Sequence, residues 1–317
     1  MLLGLLFIVD PLDELKAAKD SSIAMMREAA ERGHEVYACT LDELLAIGGT
    51  VEAYVHRLLL SPPDQPDWYV DVGQSRRRLS SFEAVLMRKD PPFDIEFLNA
   101  TLLLSRAAAQ GAFVVNDPQA LRDHNEKLAV LEFPELTVPT VVTRDIHAMR
   151  AFWNEHGDVV VKPLDGMGGA GIFRLAPGEA NAGSIFETVT ARGTRAAMAQ
   201  RFIPEIVEGD KRVLVIGGAA VPFSLARVPA PGETRGNLAA GGRGEARPLT
   251  PREWEIARAV APVLWAQGLL IVGLDVIGAC LTEVNVTSPT CFVEITEQTG
   301  FDVPALFADA LLRAVPH

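Results

Sequence analysis

VVVKPLDGMGGAGIFRL, residues 159–175, is the stretch on which the reading of the fold turns. A run of β-branched residues ends at Lys162-Pro163. Asp165, Gly166, Met167, Gly168, Gly169, Ala170 and Gly171 follow, and a second apolar run, residues 172–175, closes the stretch. So many glycines in so few positions let backbone N–H groups come close to a ligand. Successive bare N–H groups form an anion nest that suits phosphate, and Lys162 adds a positive charge beside it. Gly166, Gly168 and Gly171 satisfy G-x-G-x-x-G, but a dinucleotide fingerprint needs a helix directly after its glycines. Residues 172–175 read as a strand instead. A Walker loop would end in Gly-Lys-Ser/Thr, whereas here the lysine precedes the glycines. The stretch therefore predicts strand, glycine loop, strand: a flap over phosphates, without the catalytic signatures of a protein kinase. The plainer alternative is a mobile surface turn, because glycine clusters are common in loops.

The chain around it has 317 residues, and one domain per ~150 residues suggests about two. Apolar residues make up 49%, enough for substantial cores. Basic residues number 29 against 41 acidic, for a net charge of −12. That balance argues against a nucleic-acid partner, which needs a basic face, and it favours a soluble cytoplasmic protein. Cys39, Cys280 and Cys291 have no C-x-x-C spacing, and an odd number fits no disulfide framework. The opening MLLGLLFIVD lacks a basic n-region and a small-residue cleavage site, so it reads as a buried strand rather than a signal peptide. No apolar run approaches the ~20 residues of a membrane span.

Taken in order, the pattern opens β-α-β: a strand over residues 2–9, a helix capped by Asp20-Ser21 and ended by Gly33, and a strand over 35–40. Residues 50–81 read as irregular, with Arg76-Arg77-Arg78 on a solvated hairpin surface. A buried strand at 84–87 delivers Arg88-Lys89-Asp90-Pro91-Pro92, at the strand end where open α/β sheets bind ligands. Arg88 there can take a carboxylate in bidentate fashion, or simply join a salt-bridged loop. A helix at 97–110 and a strand at 112–115 close a first domain near residue 122. Residues 126–133 read as a helix with Lys127 on its surface. A strand at 140–143, a helix from Asp145 and the glycine hairpin follow, then a strand at 197–203 and paired strands at 211–216 and 221–227. Residues 228–244, VPAPGETRGNLAAGGRG, lack apolar periodicity and carry Arg235 and Arg243. A structureless loop of that length inside a compact domain is usually functional or disordered.

Residues 269–277 and 281–286 read as two strands around Gly278-Ala279-Cys280. Glu283 and Asn285, two apart, share one face of their strand. A three-residue loop sets Asp275 opposite Glu283 on that face. Directly opposed carboxylates destabilise a sheet unless a cation lies between them, and hard oxygen ligands suit magnesium. The alternative is that Asn285 and Asp275 merely cap turns.

A lysine, a glycine flap and an Asp/Glu/Asn hairpin near the C-terminus together resemble the ATP-grasp superfamily. MRKDPPFD, KPLDGMGG, GDKRVL, GETRGNLAAGGRGE and LTEVNVTSPTC, in that order, resemble the bacterial-type glutathione synthetase family within it. The resemblance implies an α/β and α+β protein. A parallel-sheet α/β substrate domain at residues 1–122 would be followed by a two-lobed ATP-grasp unit. That unit would comprise a central lobe with the flap at 123–203 and a C-terminal lobe with lid and metal hairpin at 204–317. It implies that Lys127 and Lys162 touch ATP phosphates and that Gly166, Met167, Gly168 and Gly169 form the flap. It implies that the backbone of Gln200, Arg201, Phe202 and Ile203 reads adenine and that Asp210 holds the ribose. Asp275, Glu283 and Asn285 match the magnesium ligands, with manganese as a substitute metal. Arg88, Arg227 and Arg235 would bind substrate carboxylates, and Arg212, Arg227 and Arg235 would act on the transferred phosphoryl group. Residues 228–244 would be the lid.

The implied reaction joins γ-glutamylcysteine and glycine into glutathione through an acyl phosphate, releasing ADP and phosphate. The substrates are small molecules, with no nucleic-acid or membrane partner, and the chain is expected to be a homo-oligomer. No covalent protein nucleophile is required, so Cys291 reads as structural. Two rivals remain: another ATP-grasp carboxylate–amine ligase, of the D-alanine–D-alanine or glutamate-adding type, and a nucleotide-binding module without catalysis. The arginine-rich loop and MRKDPP argue against the first, and the full complement of lysines and acids against the second.

Overall fold

In the computed structural model, which describes residues 3–62, 65, 67–166, 168–230, 236 and 241–316, the apolar opening run becomes β1 (Gly4–Ile8). Leu5, Leu6, Phe7 and Ile8 are all buried, as both-faced burial in a parallel sheet requires. Asp20 caps α1 (Ser21–Glu31) by accepting from the N–H groups of Ser22 and Ile23. Such a cap contributes about 1 kcal/mol. β2 (Glu35–Cys39) lies parallel to β1.

β3 (Leu44–Ile47) leads into a long antiparallel ribbon, β4 (Thr50–Leu60) and β5 (Tyr69–Arg78). The ribbon corrects the reading of residues 50–81 as irregular. Val51, Ala53 and Val55 alternate into the core, a period-two signal hidden by the polar, proline-bearing connection between the strands. Arg76 and Arg78 do face solvent on the hairpin, with Arg76 3.0 Å from Glu52. β6 (Ala84–Met87), α2 (Ile95–Ala108), β7 (Val114–Val115) and α3 (Pro118–Asp123) complete this layer. The strand order is β3-β4-β2-β1-β6-β7, with β5 on the free side of β4. β1 is parallel to both β2 and β6, which puts Arg88, just beyond β6, at the C-terminal edge.

Residues 126–133 are not an α-helix with a surface lysine. A short 3-10 stretch covers Leu128–Glu132, and Lys127 is buried. The Asn125 side chain accepts from the N–H of Lys127 and Leu128, and the Glu126 carbonyl accepts from the N–H of Val284. The segment is thus used as a neighbour of the strand that carries Val284 rather than as a free helix. β8 (Thr140–Thr143), α4 (Ile146–His156), β9 (Val159–Pro163), β10 (Phe173–Leu175), α5 (Ala182–Val189) and β11 (Ala197–Arg201) then build an antiparallel sheet, β10-β9-β11-β8. Met149, Trp153, Val161 and Phe186 form its own core.

The third sheet contains β12 (Asp210–Ile216), β13 (Ala219–Val228) and β14 (Arg243–Pro248). After α6 (Pro251–Ala266) come β15 (Ile271–Ile277) and β16 (Cys280–Asn285), in the order β14-β13-β12-β15-β16. Thr250 and Glu253 form the capping box that opens α6. α7 (Phe292–Thr299) and α8 (Val303–Ala314) pack back on the first layer. Phe7, Ile23 and Met26 share one apolar cluster with Leu214, Phe292 and Phe307. Asn116 ties the two sheets as well. Its Nδ2 donates to the carbonyls of Ile271 and Val286, each at 2.8 Å, and its Oδ1 accepts from the Ile271 N–H. The first and third sheets thus share apolar cores, and the sheet carrying the glycine hairpin adds Met198 of β11 to one of them while keeping a further cluster of its own.

Candidate active site

Lys162 stands next to last in β9, after a run of valines buried at Val159 and Val161, and is paired with Met198 of β11. Its Nζ lies 3.1 Å from Glu283 Oε1 on the opposing sheet and donates to the Thr282 carbonyl at 3.4 Å. Lys127 approaches from the other side, with Nζ 2.6 Å from the Gly166 carbonyl and 3.9 Å from the same Glu283 oxygen. Two buried ammonium groups thus converge on one carboxylate. Burial alone would raise the Glu283 carboxyl, but Lys162 and Lys127 outweigh it and hold it below the ordinary range. The flap turns between them with Gly168 at φ 62° and Gly169 at φ 84°, a conformation open to glycine. Met167 lies outside the described residues.

The hairpin β15–β16 has the expected register by a different route. The turn is only Gly278-Ala279, so Ile277 pairs with Cys280 and Val276 with Leu281. A bulge then leaves Thr282 unpaired and restores Asp275 opposite Glu283, with Gly273 opposite Asn285. The bulge is what places the three oxygen-bearing side chains together along one wall. Asp275 is held by two guanidinium groups. Arg212 donates through Nε and Nη2 at 2.5 and 3.1 Å, and Arg227 Nη2 stands at 2.9 Å. Burial works against ionisation of Asp275, yet Arg212 and Arg227 hold its carboxyl well below the usual range. Arg227 also donates to Asp210 at 2.6 Å. Burial pushes the Asp210 carboxyl up to about 6, against the pull of Arg227 and with Asp275 and Glu283 adding to the rise. The Asn285 Nδ2 donates to the Gly273 carbonyl at 3.2 Å, which leaves its Oδ1 as an acceptor.

These groups line a cavity of about 310 Å³ that also takes in Gly166, Gly168, Gly169, Gln200, Arg201, Phe202 and Ile203, a volume suited to a small-molecule ligand. The N–H of Arg201 donates to the Pro139 carbonyl and that of Phe202 to the Asp158 carbonyl. The N–H of Ile203 has no protein acceptor among the described residues, so in this segment Ile203 is the donor left for a ligand. Arg88 directly follows β6 and is buried, two residues before Asp90 and three before Pro91, which line the cavity. It is 4% exposed, and its Nε and Nη2 donate to Ser22 Oγ and the Pro289 carbonyl while Nη1 has no partner among the described residues. Arg235 and most of the loop at 228–244 lie outside the described residues. The loop's ends are strand, with Arg227 opposite Gly244 and Val228 opposite Arg243. Arg243 pairs there with Glu245.

Sequence reading missed several groups in this wall. Glu126 accepts from Thr287 Oγ1 at 2.7 Å, and burial raises its carboxyl. Asp90 and Ser288 line the cavity beside it. Gly273 matters because a Cβ there would fall 2.7 Å from Arg212 Cδ. Asp90 stood within MRKDPPFD and Glu126 beside Lys127, so position was the available signal, but nothing in the chain distinguishes them from other acids. Cys291 also lines the cavity, at φ 88°, and burial pushes its thiol up, away from the thiolate a nucleophile needs. Cys39, Cys280 and Cys291 are all free thiols. Among the described residues no cluster of three or more His, Cys, Asp or Glu is placed to hold a metal, and no helix is long and apolar enough to cross a membrane.

A nucleotide-sized cavity between an antiparallel flap-bearing sheet and a carboxylate hairpin defines the class of ATP-grasp ligases. Solved structures agree with that fold. D-cycloserine synthetase DcsG superposes with a TM-score of 0.69 at 18% identity, over 99% of this chain and all of that one. The ATP-grasp ligase PsnB, in complex with minimal precursor, Mg and ADP, superposes at 0.61 with 19% identity, covering 98% and 97%. Residues 3–122 match the model of the prokaryotic glutathione synthetase N-terminal domain, and residues 126–300 match that family's ATP-grasp domain. The glutathione synthetase of Ralstonia nicotianae is 58% identical over 98% of this chain and 95% of its own. That of Bordetella parapertussis is 57% identical over 98% of each. The chain belongs to the prokaryotic glutathione synthetase family, and it is an ATP-dependent ligase that forms glutathione.

Proposed function

We propose that the cavity activates the cysteinyl carboxylate of γ-glutamylcysteine by phosphorylation from ATP and passes the acyl group to the amine of glycine. The observation that supports this reading best is Arg88, a buried guanidinium with no carboxylate in ion-pair distance among the described residues, two residues before Asp90 of a cavity that also takes in Lys127 and Lys162. A buried cation without an anion is costly, and a substrate carboxylate answers that cost. Lys162 and Lys127 would take the ATP phosphates, with Gly166, Gly168 and Gly169 donating from above. Ile203 would read adenine and Asp210 the ribose.

Glu283 and Asn285 offer hard oxygens of the kind magnesium takes. Asp275 has both oxygens engaged by arginine, yet a carboxylate accepts about four hydrogen bonds in all, so the donor set fits magnesium, or manganese in its place. Such an ion would neutralise charge on the phosphates. The chain's own part is to hold the carboxylate and phosphorus in line. Arg212 and Arg227, aligned by Asp275, supply positive charge where the transferring phosphoryl group gathers negative charge. Arg235 is assigned the same task from the loop. Glycine then attacks the acyl carbon, its nitrogen having lost a proton, and phosphate departs. Water must be kept out, since the acyl phosphate would hydrolyse.

The same reading places the enzyme in the cytoplasm, in keeping with three free thiols. It also makes the chain a homo-oligomer, which the exposed outer strand β5 supports and light scattering would measure. The division into residues 1–122, 123–203 and 204–317 assigns substrate, flap and metal hairpin to successive segments. Phosphate release across a panel of dipeptides and amino-acid acceptors tests the reaction. Release should need γ-glutamylcysteine and glycine together and equal the glutathione formed. Turnover that instead needs D-alanine, or no turnover with any pair, would sink the reading.

A further inference from the structure

The acceptor amine needs a base that the arginines, the lysines and the flap do not supply. Glycine carries an ammonium group near neutral pH, and a nitrogen without a free electron pair cannot attack an acyl phosphate. Five carboxylates line the cavity, those of Asp90, Glu126, Asp210, Asp275 and Glu283, and among the described residues no histidine does. Three of the five are held by cations. Asp210 lies 2.6 Å from Arg227, Asp275 is gripped by Arg212 and Arg227, and Glu283 faces Lys162 and Lys127. A carboxylate held in that way is a poor proton acceptor, because the cation stabilises the charge that protonation removes.

Glu126 and Asp90 have no cation within ion-pair distance among the described residues. Position separates the two. Asp90 follows β6 on the first sheet, with its N–H fixed on Asp10 Oδ2 at 2.9 Å, and its neighbours Lys89 and Arg88 turn to Asp10 and Pro289. Glu126 belongs to the end where the phosphates are proposed to lie. Its main-chain carbonyl accepts from the N–H of Val284 at 2.9 Å, and its neighbour Lys127 reaches the Gly166 carbonyl of the flap at 2.6 Å. The neutral Thr287 hydroxyl donates to Glu126 Oε1 at 2.7 Å, and Oε2 accepts no hydrogen bond among the described residues. Glu126 also lines a second cavity, of about 190 Å³, which shares Pro91, Lys127, Gly166 and Thr287 with the first. There is thus space beside this carboxylate for a small amine in addition to the contents of the main cavity.

We infer that Glu126 is the general base of the amide-forming step. The inference rests on the reaction proposed above. Glu126 Oε2 takes one proton from the ammonium group of glycine, and the freed electron pair forms the C–N bond to the acyl carbon. The C–O bond to phosphate breaks, and the departing phosphate keeps that electron pair and takes a second proton from nitrogen. The third proton stays as the amide N–H. Glu126 gives its proton to water once the products have left. Thr287 turns the carboxylate so that Oε2 is the accepting atom.

The test measures glutathione formed from glycine and hydroxamate formed from hydroxylamine, each with γ-glutamylcysteine and ATP, in the wild type and in Glu126→Gln. Hydroxylamine is a weak base whose nitrogen is unprotonated at neutral pH, so it needs no help to attack the acyl phosphate. Glu126→Gln should lower kcat with glycine by ~10²–10³, keep the glycine KM within ~3-fold, and leave hydroxamate formation within ~3-fold of the wild type. Its kcat/KM for glycine should also climb by nearly tenfold per pH unit between about pH 7 and 9, following the free amine, while the wild type changes by less than ~3-fold per unit. Glu126→Ser serves as a second variant, with the same expectations, if the glutamine enzyme folds poorly. An unchanged rate with glycine, equal losses with glycine and hydroxylamine, or a loss carried wholly by the glycine KM would overturn the inference while leaving the reaction intact. So would a variant whose glycine kcat/KM follows pH as the wild type's does. A wild type that forms neither glutathione nor hydroxamate would overturn the reaction itself and the base with it.

Discussion

Glu283 is the shared counter-charge of Lys162 and Lys127, a role its place in LTEVNV does not reveal. Replacing it by glutamine removes both the oxygen proposed to take magnesium and the anion that lets two ammonium groups remain buried. Turnover of Glu283→Gln should fall by ~10²–10³, equivalent to a lost charge contact of ~3–4 kcal/mol. Its melting temperature without nucleotide should fall too, and ATP should restore part of it, because phosphate then faces the lysines. A normal melt together with normal turnover would remove Glu283 from the site. Asp210 gives a pH signature. Its folded carboxyl, near 6, lies above the ordinary value of ~3.9. Its contribution to stability is therefore fully present below ~4 and is lost as pH rises through about 6. Asp275 and Glu283 have the opposite sign: both are depressed, so their contributions hold above ~4 and fade in stronger acid. Denaturant titrations of wild type and Asp210→Asn at pH 5 and 7 should show their stability difference shifting toward the wild type at pH 5. The shift is bounded by ~1.4 kcal/mol per pH unit for one proton. A difference independent of pH would show that Asp210 ionises as an ordinary carboxylate.

At the scale of the element, β15–β16 is a device for setting carboxylates against arginines. The bulge at Thr282 sets the register, and the Thr282 hydroxyl donates to the Asp275 carbonyl at 3.1 Å. Gly273 leaves room for Arg212 to lie along the strand toward Asp275, with Pro289 closing the other side. Gly273→Ala would push a methyl group into the Arg212 stem. Overpacking of a tight site costs ~1–3 kcal/mol, and displacement of Arg212 should lower kcat more than it raises the KM for ATP. Chemical denaturation and steady-state kinetics on the same preparation would measure the two effects. An alanine enzyme with normal kcat would mean that the placement of Arg212 is not critical.

At the scale of the whole molecule, the first and third sheets share apolar clusters, which the flap-bearing sheet joins through Met198 while keeping a further cluster of its own. On the proposed reading nucleotide lies between the flap-bearing sheet and the β15–β16 hairpin, which Lys162 already links by its contact with Glu283. Lys162→Met should weaken ATP binding by tenfold or more and abolish most of the thermal stabilisation by ATP. In the wild type that stabilisation approaches ~2.7 kcal/mol at a hundredfold excess over Kd. Dipeptide binding measured by calorimetry without nucleotide should be unchanged. Equal ATP affinity in the two enzymes would refute a phosphate role for Lys162.

The sequence by itself determined the element types that local chemistry dictates. The capping Asp20, the continuously apolar β1 and the glycine-rich hairpin all act through neighbours within a few residues, so pattern and spacing suffice to read them. It determined the opposition of Asp275 and Glu283 as well, although from a longer turn than the one that forms. What only the tertiary structure decided are the partners brought together from far apart in the chain. Lys127 is buried because Glu126 is used as a neighbour of β16, not because of any feature of its own segment. Residues 50–60 form a central strand because β2 and β3 lie beside them. Asp90 differs from the other acids of the chain because Lys89 and Arg88 turn to Asp10 and Pro289. Burial and charge pairing are properties of the assembled surroundings, and a residue's letter carries neither.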